Sequence, residues 1–280
     1  MANTKIGFSI GKKYAVSLVE MVRLVAEAGF DAVSPCWRRE LDLVTVIETA
    51  RELGLEIQSL HGPFHWVDEL WSEDPAISNH ALEEIMDSLE DCHKFRIPLM
   101  VMHVWIHFDY TTVPNATGLK NYEKIVNKAR EYGIQIAFEN TEGVEFLRAL
   151  MEHFKDEPLV GFCWDSGHEL CYGPELDLLG EFGDRLIMTH LNDNMGVSDP
   201  GGKITSWDDL HLVPYEGIGN WDDFIARLRR SRKQATLNLE LSLESKEGRH
   251  ENDRYSQMEL SEYLALCYRQ ACRIVQAYEA

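Results

Sequence analysis

Ile134-Gln135-Ile136-Ala137-Phe138-Glu139-Asn140, then an amphipathic stretch over 144–154, then an apolar run over 159–164 ending at Asp165, is the part of the chain on which the fold turns. A short apolar run, a helical period and a second short apolar run read as one strand–helix–strand unit. The same rhythm extends in both directions. Toward the N-terminus, strands are predicted over 6–10, 32–34, 55–60 and 98–104. Between them lie a helix capped by Ser17, with Glu20 at capping-box spacing and Gly29 at its end, and helices over 41–53, 76–95 and 119–132. Toward the C-terminus come a helix over 174–182, a strand over 185–189 and a polar, Gly-rich stretch over 192–220. A helix over 221–230, a strand over 235–239 and a closing helix over 260–278 complete the chain. Eight strand–helix units in 280 residues predict an α/β fold, a (β/α)8 TIM barrel forming a single domain over 1–280. A doubly wound sheet is the alternative, but the first strand is followed by Gly11-Lys12-Lys13, without the glycine pattern of a dinucleotide turn.

Composition narrows the function. Apolar residues make up 45% of the chain and aromatics 10%, enough for a substantial core. Against 27 basic residues stand 47 acidic ones, a net charge of −20, which argues against nucleic-acid partners and against an anionic membrane surface. No apolar run approaches the ~20 residues needed to span a bilayer, and the opening Met1-Ala2-Asn3-Thr4-Lys5 has no secretory pattern. The six cysteines are dispersed without a CxxC pair, as expected of reduced thiols. The expectation is a soluble, cytoplasmic protein.

In a barrel, chemistry collects at the C-terminal ends of the strands. There the sequence places His61 after the third strand, His103 after the fourth, Glu139 and Asn140 after the fifth, Asp165 after the sixth, His190 after the seventh and Glu240 after the eighth. His168 follows Asp165 by three residues, and Asp209 and His211 lie in the long loop. Taken singly, each has an ordinary structural reading: a hydrogen-bonded histidine, or, for Asp165, the cap of the turn that follows. Taken together they do not. Glu139 and Glu240 terminate apolar strands, where an unpaired charge is costly, and converging carboxylates repel unless something positive lies between them. One divalent metal ion (Mn, Zn, Co or Mg) held by Glu139, Asp165, His190 and Glu240 meets that requirement.

The segments His61-Gly62-Pro63-Phe64, Phe138-Glu139-Asn140-Thr141, Trp164-Asp165-Ser166-Gly167-His168, His190-Leu191-Asn192-Asp193 and Asp209-Leu210-His211, followed by Glu216-Gly217-Ile218-Gly219, resemble the xylose isomerase-like TIM-barrel superfamily. That superfamily holds sugar and sugar phosphate isomerases and epimerases, and the endonuclease IV family. The resemblance covers essentially the whole chain in strand order. It implies a four-ligand metal centre at Glu139, Asp165, His190 and Glu240, with Glu139 and Glu240 doubling as the catalytic acid/base pair. By the same resemblance His61, His103, His168, Asp209 and His211 match either the further ligands of a three-zinc centre or residues lining a sugar pocket. Homo-oligomers are implied at the level of the superfamily only.

The expected activity is therefore a divalent-metal-dependent isomerase or epimerase of a sugar, sugar phosphate or polyol-derived ketone. It would work through an enediolate stabilised by the metal, with two glutamates moving the proton. The alternatives are an endonuclease IV-like trinuclear zinc phosphodiesterase and a non-catalytic sugar-binding barrel. Trp37, Trp66 and Trp105, near the ends of strands two to four, are candidates for an apolar wall against a sugar, with core packing the other reading; Trp105 is the one placed among the substrate contacts. Trp164 should point away from Asp165 by strand alternation. A phosphate would find an amide nest at Gly217 and Gly219, or Lys246, Arg249, Lys12 and Lys13, but the reading favours a non-phosphorylated small-molecule substrate.

Overall fold

The structure is a computed structural model that describes residues 4–11 and 14–280; Lys12 and Lys13 lie outside the described residues. Its strands are β1 (Lys5–Ile10), β2 (Ala32–Pro35), β3 (Glu56–Ile57), β4 (Leu60–His61), β5 (Leu99–Met102), β6 (Gln135–Glu139), β7 (Val160–Asp165), β8 (Leu186–His190) and β9 (Thr236–Leu239). All pairings between them are parallel, in two arcs ordered β3-β2-β1-β9 and β4-β5-β6-β7-β8. Bridges Cys36–His61 and Leu191–Leu239 join the arcs at both seams, so the sheet closes into the expected barrel. The predicted third strand is split. Glu56 and Ile57 pair with β2, whereas Leu60 and His61 pair with β5, so the chain changes partners at Gln58-Ser59.

The helices are α1 (Leu18–Ala28), α2 (Leu43–Glu52), α3 (Pro75–Phe95), α4 (Ala116–Tyr132), α5 (Val144–His153), α6 (Ser166–Tyr172), α7 (Leu178–Phe182), α8 (Trp221–Arg230), α9 (Asp253–Ser256) and α10 (Leu260–Glu279). Local chemistry sets their ends. The Ser17 hydroxyl accepts from the Glu20 amide at 3.1 Å, and Gly29 closes α1 at φ 101°. Asp42 caps α2, which starts two residues later than predicted, and Asn115 caps α4, which starts three residues earlier. Two elements were not anticipated: α6, which begins directly at the end of β7, and the single turn of α9. Among the described residues no helix is long and apolar enough to cross a membrane. None of the six cysteines is in a disulfide.

Strand alternation sorts the side chains into two cores. Phe138, Phe162 and Trp164 face the helical layer, and Val101, Ala137, Cys163 and Met188 fill the barrel interior. The next inward positions are then His103, Glu139, Asp165 and His190, which is why the polar residues converge above the apolar plug. Between Phe162 and Cys163 the register against β8 shifts by one residue, Ile187 being the extra one, and beyond it Asp165 pairs with His190 across the ladder.

One packing contact makes a firm prediction. The buried Trp71 indole donates to the Val104 carbonyl at 3.0 Å, and a Cβ at Gly118, in the first turn of α4, would lie 2.0 Å from its Cε3. Gly→Ala inside a helix ordinarily gains up to about 1 kcal/mol. Here overpacking should outweigh that gain, and urea denaturation of Gly118→Ala is expected to show a net loss, of about 1–3 kcal/mol.

Candidate metal centre at the barrel mouth

Glu139, at the end of β6, is fully buried, and four histidines surround it. Its Oε1 lies 2.9 Å from His190 Nδ1 and 3.5 Å from His168 Nδ1, and its Oε2 lies 3.4 Å from both His61 Nε2 and His103 Nε2. His190 Nδ1 is also 2.8 Å from Oε2 of Glu240, so the two glutamates approach one imidazole from β6 and from the end of β9. One ligand atom from each of Glu139, Asp165, His190 and Glu240 fits within 4.8 Å of the other three. The structure thus brings together all four residues expected to hold a metal.

The remaining predicted site residues gather beside them, with one exception. Groups His61–His103–Glu139 and His168–Asp209–His211 satisfy the same 4.8 Å limit. Asp209 Oδ1 is 3.0 Å from His211 Nε2 and 3.6 Å from His168 Nε2. His211 takes a left-handed backbone, φ 48°, rare for a residue with a side chain; its carbonyl accepts from the Ser242 amide at 2.9 Å and its Nδ1 donates to the Glu240 carbonyl at 3.1 Å. Trp105 stands apart: it is buried, stacked on Phe146 at 4.1 Å, with its indole donating to the His107 carbonyl. It is not among the side chains lining the cavity at the mouth. Trp37 is likewise tied into the framework through Asp91, while Trp66 is exposed.

The histidine tautomers bear on what the cluster can hold. Nδ1–H of His61 donates to the Gly62 carbonyl at 2.8 Å, that of His168 to Asn140 at 2.9 Å, and that of His211 to Glu240. Each neutral ring therefore turns an Nε2 lone pair toward a carboxylate: Glu139 for His61, Asp209 for the other two. Lone pair facing carboxylate is repulsive unless a proton or a cation lies between them, and a backbone-anchored imidazole is the usual arrangement of a metal ligand. Glu139 Oε2 and His190 Nε2 are buried without a hydrogen-bond partner. The donor set, carboxylate oxygen and imidazole nitrogen, suits a divalent ion of the Zn or Mn type.

Proton energetics point the same way. Burial alone would raise Glu139, but His190 and His103 outweigh it and hold the carboxyl well below its ordinary range. Asp209 is depressed likewise, burial being overcome by His211 and His168, and Glu240 by His190. Burial pushes Asp165 up to about 6, with His168 and His211 opposing. For His190, burial opposes protonation, yet Cys163, Glu139 and Glu240 raise it well above the usual histidine value. The buried carboxylates thus favour positive charge on His190, the charge that a cation would otherwise supply.

Asp165 caps the turn that follows it, one of the two roles considered for it. Its Oδ1 accepts from the His168 amide at 2.7 Å, capping α6, while Oδ2 accepts from Asn192 Nδ2 at 2.9 Å. Asn140 exchanges two hydrogen bonds with the Asp165 backbone, each 2.8 Å. Trp164 points outward as expected, its indole donating to Glu169, whose other oxygen meets Arg227 at 2.7 Å. The proposed amide nest is corrected. The buried Asp193 carboxylate takes the Gly219 amide at 2.9 Å, Tyr215 N at 3.0 Å and the Trp221 indole at 2.7 Å. A Cβ on Gly217 would lie 2.2 Å from the Asn194 carbonyl. The Gly219 amide thus already serves an internal anion. Lys246 contacts the Ser206 carbonyl and lies 3.7 Å from Asp209, and Arg249 pairs with Glu251. Asn192 and Asp193 thus hold Asp165 and the long loop, and their only signal in the sequence is a polar pair directly after an apolar strand.

Fold and site together define a (β/α)8 barrel with a buried carboxylate–histidine centre at the C-terminal ends of its strands. A family model described as a xylose isomerase-like TIM barrel matches residues 22–260, and the chain belongs to that family. An uncharacterized protein, y4fM, of Sinorhizobium fredii (strain NBRC 101917 / NGR234) is 27% identical over 258 residues, 79% of this chain and 80% of its own. Among solved structures, the IolI protein with a bound zinc atom is similar at TM-score 0.76 and 16% identity, over 98% of this chain and 99% of that one. D-psicose 3-epimerase, solved in the presence of D-fructose, is similar at TM-score 0.72 and 16% identity, over 99% and 100%. L-ribulose 3-epimerase gives 0.73 and 12%, over 99% and 95%.

The loop anchor is testable. Asp193→Ala leaves the Tyr215 amide, the Gly219 amide and the Trp221 indole without their acceptor. A loss of at least about 2 kcal/mol is expected in urea denaturation, with limited proteolysis cutting first within 194–220.

Proposed function

We propose that the protein is a divalent-metal-dependent sugar isomerase or epimerase, with Glu139 and Glu240 as its acid/base pair. The observation that carries this reading is the set Glu139, Asp165, His190 and Glu240, each of which offers a ligand atom within 4.8 Å of the other three. A divalent ion held there supplies Lewis acidity toward the oxygens of a ketose. The glutamates flank His190, each within 3 Å of its Nδ1, so carboxylates reach the same space from two strands. One removes the proton beside a carbonyl and the other returns it on the opposite face, inverting the carbon; return by the same carboxylate to the neighbouring carbon gives aldose–ketose isomerisation. Asp165 is not a base on this reading, because both its oxygens already accept hydrogen bonds. His61, His103, His168 and His211, with Asp209, orient substrate hydroxyls. The epimerase and IolI neighbours support the class of activity through their shared fold.

A second reading has its own observation. The groups His61–His103–Glu139 and His168–Asp209–His211 flank the central one, as three adjacent zinc sites of a phosphodiesterase would. The net charge of −20 and the Gly219 amide already taken by Asp193 weigh against a polyanionic substrate.

Metal analysis of protein purified without added metal separates the two: about one ion per chain is expected, and three tightly held zinc ions would favour the phosphodiesterase. At about a hundred times its Kd, added Mn²⁺ or Zn²⁺ should stabilise the fold by about 2.7 kcal/mol, read as a rise in Tm that Asp165→Ala abolishes. Metal-loaded protein incubated in D2O with a panel of ketoses and inositol-type ketones should exchange a carbon-bound proton. Glu139→Gln and Glu240→Gln should each slow that exchange about 10²–10⁴-fold. Unchanged rates would remove the acid/base roles, and no exchange with any candidate would leave a binding barrel.

A further inference from the structure

Two cavities open side by side at the barrel mouth. The inner one, about 150 Å³, is lined by His61, His103, Asp209, His211 and Glu240. The outer one, about 350 Å³, lies between the loops after β5 and β6, helix α6 and the 202–204 segment of the long loop. His168 lines both. Small-molecule sites occupy roughly 300–1,000 Å³. The inner cavity falls short of that alone, and the outer one supplies the difference.

The outer lining has a definite chemical character. Phe108 and Tyr172 meet edge to face at 5.4 Å, and Tyr172 stacks on His168 at 5.1 Å, continuing an aromatic surface out from the centre. Asp109, Glu142 and Glu145 contribute carboxylates, while Lys203, the lysine of this lining, is 3.1 Å from Asp109 and already paired. An anionic group is repelled here. A hydroxylated or aromatic ring finds acceptors for its O–H groups and flat apolar faces for its C–H surface.

We infer that the substrate is a glycoside: a sugar seated over the carboxylate–histidine centre and joined to an uncharged second ring held in the outer cavity by Phe108 and Tyr172. This inference rests on the isomerase or epimerase reading of the centre. Because a glycosidic bond consumes the anomeric carbonyl, the carbonyl needed for proton transfer lies elsewhere on the sugar ring.

The test compares phenyl 3-keto-β-D-glucoside with free 3-keto-D-glucose on the metal-loaded full chain, following deuterium exchange by NMR. At least a 10-fold higher kcat/KM is expected for the glycoside. Filling the outer cavity with Ile204→Trp, or with Leu176→Trp if the first variant has a lowered Tm, should bring the ratio near one. Titration calorimetry with the unreactive phenyl β-D-glucopyranoside and D-glucose should show the same preference and the same loss. Exchange of both keto sugars without preference overturns the glycoside assignment and leaves the proposed function standing. If neither exchanges, the proposed function fails in this assay, and calorimetry still decides the outer cavity: no preference for the phenyl glucoside overturns it.

Discussion

A carboxylate without solvent exposure at the end of an apolar strand is the constraint around which the barrel mouth is organised. Glu139 cannot remain charged there unaided, since burial of an isolated carboxylate is costly. The chain answers with imidazoles from four other strand ends or their following helix: His61, His103, His168 and His190. Each of these then needs its own orientation, and the carbonyls of Gly62 and Asn140 provide it for His61 and His168. The parallel ladder matters because it brings the ends of β4, β6, β7 and β8 side by side, delivering His61, Glu139, Asp165 and His190 to one end of the barrel, while His168 follows from α6.

Outside that ring further hydrogen bonds orient the carboxylates and the long loop. Asn140 and Asn192 fix Asp165 from either side, and Asp193 ties the long loop through three N–H donors, which places Asp209 and His211 over the centre. These hydrogen bonds do not touch the reacting space, yet they determine where the carboxylates point. A closely packed polar layer of this kind tolerates little displacement, because each lost partner leaves a buried donor or acceptor unsatisfied.

Much of this was legible in the sequence, for reasons that can be stated. Strand periodicity and helix caps are local, so Ser17, Gly29 and the alternation around Glu139 announced their elements correctly. The inward parity of Glu139, Asp165, His190 and Glu240 followed from the same alternation, and so did the outward turn of Trp164. What failed was reading across distance. The third strand looked continuous because its alternation is continuous, but the barrel seam required it to exchange β2 for β5 at Gln58-Ser59. Trp105 looked like a pocket wall from its position after a strand, and Phe146, forty-one residues on, draws it into the core. Gly217 and Gly219 looked like an anion site, and Asp193 takes the Gly219 amide from within.

By itself, then, the sequence determined the alternating strand–helix order, the closed-barrel class and the set of carboxylates and histidines at the strand ends, because those depend on short-range periodicity and on side-chain chemistry. The tertiary structure alone decided which lone pairs face which carboxylates, which amides remain open and where the two cavities meet at His168. Those depend on contacts between residues far apart in the chain, and on hydrogen bonds to backbone carbonyls that no local pattern records.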